Sequence, residues 1–189
     1  VMGTKKIIVA ISGASGAVYA SQLLKSLVAY KSQYAHLAVV FSETAKSIWK
    51  HELDIDLPVQ DEFTMYDVND FYAPFASGSS TYHCMIVCPC SMGMLGRIAA
   101  GISDDLIARA ADVMLKERRK LILVPREAPY NLIHLQNMEK VTLAGGIVCP
   151  ASPSLYTKPE SVEQMVQTIV DRILDLAGLE IDTDRWGEG

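Results

Sequence analysis

The sequence has no apolar run near the roughly 20 residues that a membrane-spanning helix requires, no surplus of basic charge, and no Gly-x-Gly-x-x-Gly turn. Each absence removes a class of function. Among 189 residues, 17 Lys and Arg face 22 Asp and Glu, a formal net charge of -5. The basic field that neutralises nucleic-acid phosphates is therefore missing, and any anion site must be local. Neither a membrane nor a nucleic acid is expected as partner. The turn Gly13-Ala14-Ser15-Gly16 has neither the dinucleotide glycines nor the lysine of a P-loop, so readings as an NAD- or ATP-binding protein lose their main support. Metal-ligand spacing is lacking too. Cys88-Pro89-Cys90 sets its sulfurs one residue apart, where zinc sites use two or more, and His36, His51, His83 and His134 are scattered; no metal is expected. Cys84, Cys88, Cys90 and Cys149 lie in or beside apolar segments and read as reduced, buried hydrophobes. Lys5-Lys6 leads straight into a strand instead of the longer apolar core of an export signal, and the expected location is cytoplasmic.

What is present is a rhythm of short apolar runs ending in polar turns. Ile7–Ile11 runs into Ser12-Gly13-Ala14-Ser15-Gly16, Leu37–Phe41 into Ser42-Glu43-Thr44, and Met85–Cys88 into Pro89-Cys90-Ser91-Met92-Gly93. Leu121–Val124 runs into Pro125-Arg126-Glu127-Ala128-Pro129, and Gly146–Cys149 into Pro150-Ala151-Ser152-Pro153. Runs this short and this apolar read as strands buried on both faces. Helical patterns lie between them, over Ala17–Tyr30, Thr44–His51, Met92–Ala100, Leu106–Arg118, Leu132–Leu143 and Ser161–Leu176. The alternation predicts an α/β protein: a single-domain, doubly wound parallel sheet, Rossmann or flavodoxin-like, with helices on both faces. Half of the residues are hydrophobic, enough to build one core over residues 1–189 without disulfide or metal. The stretch Asp54–Ser80 breaks the rhythm with scattered aromatics and reads as an insertion, a lid or a subunit contact; residues 177–189 form a C-terminal tail.

In an open parallel sheet, ligands bind where strands exit at the carboxyl edge. Gly13, Ala14 and Ser15 let a ligand approach the backbone, and the amides opening the next helix favour an anion or an electron-rich ring edge. Ser42 and Ser91 occupy equivalent exits, where a hydroxyl can cap a helix or donate to a flat heterocycle and its phosphate. Together with Ser15 they point to a nucleotide-like ligand. Arg109 and Lys116 stand about 10 Å apart along one helix face, with Asp112 between them; they form either a solvated face with an Asp112–Lys116 pair or a cationic clamp on a phosphate that Arg126 would complete. Glu52 and Glu127 are the candidate acid-base groups, because a carboxyl in an apolar cleft has its pKa raised toward neutrality. Tyr156, in the last exit loop, either donates its hydroxyl to an anion or packs its ring. On the last helix, Val162, Met165, Val166, Ile169, Ile173 and Leu176 form one stripe, with Arg172 at its margin. A partly buried arginine there needs an anionic partner, which a structural carboxylate supplies as well as a ligand phosphate.

Several blocks, in this order, resemble the UbiX-type flavin prenyltransferases, formerly described as aromatic acid decarboxylase subunits. They are Ile11–Ala17, Ala76–Ser80, Cys88–Ser91, Arg109–Val113, Leu115–Arg119 and Val124–Pro129, and the likeness extends to Arg185-Trp186-Gly187-Glu188. The resemblance implies metal-independent transfer of a dimethylallyl group from dimethylallyl monophosphate to N5 and C6 of reduced FMN, making prenylated FMN for a separate UbiD-type decarboxylase. By matching position it implies that Gly13, Ala14, Ser15, Ser42, the turn Ser91-Met92-Gly93-Met94 and Arg126 contact FMN. Ser77, Gly78, Arg109, Lys116, Glu127, Tyr156 and Arg172 would form the prenyl-phosphate site. Ser15, Glu52 and Glu127 would be catalytic, Glu52 managing the proton at ring closure and Glu127 assisting phosphate departure. It implies a homododecamer with sites at subunit interfaces. Ser42-Glu43-Thr44-Ala45 stands where the family often has Ser-Lys-Ala-Ala, reversing a charge beside the expected FMN, and Thr81-Tyr82-His83 also departs from the familiar pattern. A flavin-dependent cysteine decarboxylase of related fold is the nearest rival, but it typically carries Pro-Ala-Ser-Ala-Asn-Thr where this chain has Pro89-Cys90-Ser91-Met92-Gly93. A nicotinamide reductase using Glu43 and a non-catalytic FMN carrier are weaker alternatives; the first lacks the glycine pattern and the second has no use for a further phosphate site.

Overall fold

The computed structural model describes residues 5–59, 61–183, 185 and 187; Trp186 and Glu188 of the C-terminal likeness lie outside them. Six strands, β1 (Lys6–Ile11), β2 (His36–Phe41), β3 (Thr64–Tyr66), β4 (Cys84–Cys90), β5 (Lys120–Pro125) and β6 (Ile147–Val148), form one sheet in the order β3-β2-β1-β4-β5-β6. Every pairing is parallel. The chain winds outward from β1 in one direction and from β4 in the other, so the switch point lies between these two central strands.

Among the described residues six α-helices flank the sheet: α1 (Ala17–Ala29), α2 (Glu43–Leu53), α3 (Met92–Ala100), α4 (Leu106–Lys116), α5 (Leu132–Leu143) and α6 (Val162–Ala177). Successive strand residues point to opposite faces, and the core divides accordingly. Ile7, Val9 and Ile11 pack with α1, α6 and Ala45 and Trp49 of α2, whereas Ile8 and Ala10 pack with α3, α4 and the turn around Phe75. All seven residues of β4 are buried, which is why its sequence shows no polar alternation. Each fully buried Ile or Leu in these layers contributes roughly 1.5–3 kcal/mol. Pro89, which cannot donate to a ladder, falls where the β4–β5 register shifts, between Val87 and Cys90.

Two expectations change. The Asp54–Ser80 segment contains a strand, β3, whose residues are exposed or half-buried; only three residues long and on the sheet edge, it has too little periodicity to be recognised. The buried seam of α6 is Val166, Ile169, Val170, Ile173, Leu174 and Ala177, rotated from the expected stripe, and Val162 and Met165 are exposed. The Thr81-Tyr82-His83 stretch is structural: Tyr82 is buried and its hydroxyl lies 2.8 Å from His36 Nδ1. All four cysteines are free. Among the described residues no helix is long and apolar enough to cross a membrane.

Candidate active site

At the switch point the exits of β1 and β4 are stitched together by Ser12. Its buried hydroxyl donates to the Pro89 carbonyl at 3.0 Å and accepts the Ser91 amide at 2.8 Å. Sequence reasoning did not single out Ser12; the signal was its place as the first polar residue after an apolar strand. Ser42 and Ser91 are the N-caps of α2 and α3, accepting from the amides of Ala45 and Met94, both at 3.1 Å. Capping uses only an oxygen lone pair, so each hydroxyl keeps a proton to donate. Met92 and Met94 turn their side chains into the core, leaving the backbone of the 91–94 turn at the edge. Gly13 packs directly on α2: a Cβ there would lie 2.8 Å from Thr44 Cβ.

Glu52 departs from its expected state. Its carboxylate reaches from the last turn of α2 to the start of α1, where Oε2 accepts the amides of Gly16 at 2.9 Å and Ala17 at 2.8 Å. Burial alone would raise this carboxyl, but the Ser15 hydroxyl, the two amides and the Arg126 charge outweigh it and hold it below its ordinary value. Charge-assisted bonds at a helix N-terminus favour the ionised form, so Glu52 is a carboxylate at neutral pH. The amides that could have received a ligand anion are already taken. Arg126 lies over this turn, its Cδ 3.2 Å from where a Gly16 Cβ would be, and it is exposed. Among the described residues it forms no ion pair. Glu127 is exposed rather than set in an apolar cleft, and its carboxylate accepts the Ala128 amide at 3.0 Å. Glu43 is matched by Lys46 at 2.6 Å on the surface of α2.

The expected prenyl-phosphate residues fall into two groups. On α4, Arg109 donates Nε to the Ala76 carbonyl at 2.9 Å and pairs with Asp112 at 3.0 Å; Lys116 pairs with Glu117, so the Asp112–Lys116 pair does not form. Ser77 and Gly78 lie against this helix end, where a Gly78 Cβ would collide with Lys116 and Glu117. Tyr156 and Arg172 instead line a cleft of about 480 Å³ with Cys149, Ser154, Asp175 and Arg185. Tyr156 is 49% exposed, not a packed core ring. The Arg172 side chain is 61% exposed, because the rotated seam of α6 turns it away from the core. Its partner is a structural carboxylate, Asp175, at 3.1 Å. Asp175 also holds Arg185 at 3.0 Å, and these arginines, Arg185 foremost, keep its carboxyl below the usual value. Because α4 and α6 cover opposite faces of the sheet, one chain does not bring Lys116 and Arg172 together.

The residues at the switch point suit a planar, anionic ligand: two capping hydroxyls, a turn of small residues, and a guanidinium that among the described residues is in no ion pair. An open parallel sheet with this edge is the architecture of a flavin-binding α/β protein, and the family model described as Flavoprotein matches residues 2–175. More narrowly, the chain belongs to the UbiX flavin prenyltransferases. It is 45% identical over 185 residues to the flavin prenyltransferase UbiX of Methanocaldococcus jannaschii, covering 96% of this chain and 98% of that protein. The crystal structure of AnUbiX (PadA1) in complex with FMN and dimethylallyl pyrophosphate superposes with a TM-score of 0.90 at 40% identity, over 97% of this chain and 99% of that one. A dodecameric FMN-dependent UbiX-like decarboxylase from Escherichia coli O157:H7 gives 0.85 at 40% identity, covering 93% and 96%. The peptidyl-cysteine decarboxylase EpiD, at 16% identity and a TM-score of 0.61 over 93% of this chain and 99% of that one, shares the fold alone.

Proposed function

We propose that this chain transfers a dimethylallyl group from dimethylallyl monophosphate to reduced FMN, giving prenylated FMN for a UbiD-type decarboxylase. The observation that supports this over a simple flavin carrier is the second set of cations. Arg126 serves one anion at the switch point, while Arg109, Lys116 and Arg172 lie elsewhere and suit a further phosphate. Bound reduced flavin supplies the nucleophilic N5 and C6 atoms.

The protein's part is binding, charge and proton handling. Gly13, Ala14, Ser15, Ser42, the 91–94 turn and Arg126 hold the flavin; Ser77, Gly78, Arg109, Lys116, Tyr156 and Arg172 hold the donor phosphate. Lysine and arginine stabilise the negative charge that grows on the departing phosphate, a role preorganised cations fill without a metal. Glu127, exposed beside Arg126, assists that departure. Glu52, ionised by the α1 amides, is a proton acceptor at Oε1 or Oε2 in the resting chain, linked to the Ser15 hydroxyl. A proton taken up there weakens its hold on Gly16 and Ala17. With Lys116 and Arg172 on opposite faces, a complete donor site draws on more than one copy. We take the assembly to be a homododecamer in the cytoplasm, residues 54–80 of the single domain forming subunit contacts.

Anaerobic incubation with FMN, dithionite and dimethylallyl monophosphate tests the reading. The flavin should gain the mass of one prenyl unit; FMN binding without that gain would leave a flavin carrier, and oxidation of a cysteine-ended peptide would favour the decarboxylase.

A further inference from the structure

The serine loop at residues 76–80 is shaped by side chains from α4 and the turn that follows it. Arg109 Nε holds the Ala76 carbonyl at 2.9 Å. Arg119, the last residue of the Leu115–Arg119 block, donates NH2 to the Gly78 carbonyl at 2.7 Å and NH1 to Ser80 Oγ at 3.5 Å. With the carbonyls of Ala76 and Gly78 drawn inward, the amides divide. Ser77 donates to Pro74, Ser79 to Ser77 Oγ and Ser80 to the Ser77 carbonyl, while the Gly78 amide has no partner among the described residues. Arg109 and Lys116 each have a carboxylate, Asp112 and Glu117. Arg119 is half-buried, and among the described residues its hydrogen bonds go to neutral oxygens, while Lys116 foremost and then the Arg119 charge lower the Glu117 carboxyl. Its hydrogen bonds are thus spent on the loop.

We propose that Arg119 is a positioning residue for the prenyl-phosphate site: its grip on Gly78 and Ser80 holds the serine loop so that the Gly78 amide and the Ser77 hydroxyl face the donor phosphate beside Lys116. This rests on the reading of 77–78 as part of the donor site. Arg119 acts through the loop and touches no reacting atom.

The test compares Arg119→Gln and Arg119→Lys with the wild type in prenylation kinetics, FMN titration and hydrogen exchange of residues 76–80. Arg119→Gln should raise KM for dimethylallyl monophosphate about ten- to a hundred-fold, the size of one or two charge-assisted hydrogen bonds. FMN affinity should be unchanged, exchange at the Ser79 and Ser80 amides should quicken, and Arg119→Lys, which keeps one donor for the Gly78 carbonyl, should recover part of the KM. A folded Arg119→Gln protein with wild-type KM would overturn the proposal even if its stability fell, because a merely structural role predicts that result. Should Arg119→Gln not fold, Arg119→Lys and Ser80→Ala carry the comparison, and wild-type KM in both overturns it. If the wild type transfers no prenyl group, the functional reading fails on its own. Protection of the Gly78 amide by dimethylallyl monophosphate, lost in Arg119→Gln and partly kept in Arg119→Lys, would then sustain the role of Arg119, and its absence would end it.

Discussion

Replacing Glu52 with Gln removes one charge and almost no volume, which isolates what the carboxylate does at the start of α1. In the native chain one oxygen, Oε2, accepts the amides of both Gly16 and Ala17, and Gly16, the N-cap, makes no side-chain cap of its own. Glutamine can put its carbonyl oxygen where Oε2 lies and accept both amides, but only as neutral hydrogen bonds, and its NH2 group cannot accept the longer 3.3 Å contact that Gly16 makes to Oε1. The expected loss combines the charge assistance of these bonds with the charge's interaction with the helix dipole. For an exposed group, screening keeps the sum to about 1–2 kcal/mol, or about 2–8 °C in Tm for a chain of this size. The effect depends on pH in a definite direction. Because the folded carboxyl lies below its ordinary 4.5, its contribution is fully present above that value and is lost as pH falls through the folded pKa. Thermal melts of flavin-free protein at one fixed concentration, which keeps ligand and assembly effects constant, should show wild type above Glu52→Gln at neutral pH and the two converging in acid. Equal Tm values at neutral pH, or a gap unchanged down to strong acid, would refute the capping argument.

Gly13→Ala should destabilise by about 1–3 kcal/mol through overpacking, because the new Cβ meets Thr44 Cβ and Cγ2, each at 2.8 Å. Adding Thr44→Ala removes the Cγ2 and Oγ1 contacts but keeps Cβ and should return part of the loss in a double-mutant cycle read by urea denaturation, whereas strict additivity would show that the two sites do not touch. Lys116→Ala and Arg172→Ala should each raise the donor KM. Since the two side chains lie on opposite faces of one sheet, unfolding the variants together and refolding them should give more activity at low donor concentration than either has alone; a mixture no better than its components would place both residues of a site in one subunit.

Strand and helix placement was legible because burial on both faces of a parallel sheet forces short, uniformly apolar runs, and the polar turns between them have nowhere to go but the edges. The spans Met92–Ala100 and Leu132–Leu143 agree with the sequence reading to the residue. The first ends at Gly101 in the left-handed conformation and the second begins at the Asn131 cap, so a capping residue marks a boundary of each. The edge strand Thr64–Tyr66 escaped because three half-exposed residues carry no period. For the candidate site, the exits bearing Gly13, Ser42, Ser91 and Arg126 could be grouped from sequence alone, since each simply follows a strand.

The ionisation of Glu52 could not be read that way. It depends on amides 36 and 35 residues away in sequence, and no local pattern says whether a carboxylate meets an apolar wall or a helix N-terminus. The same holds for Arg172, whose exposure follows from a rotation of α6 about its axis that periodicity does not fix closely, and for Arg119, whose partners lie 39 and 41 positions earlier. The sequence by itself determined the layered sheet, its carboxyl edge and the residue types gathered there, because hydrophobic burial acts on pattern. Only the tertiary structure decided which charges are paired, which amides are spoken for and which cations lie on opposite faces, because hydrogen bonds and ion pairs depend on distances of a few ångströms between segments far apart in the chain.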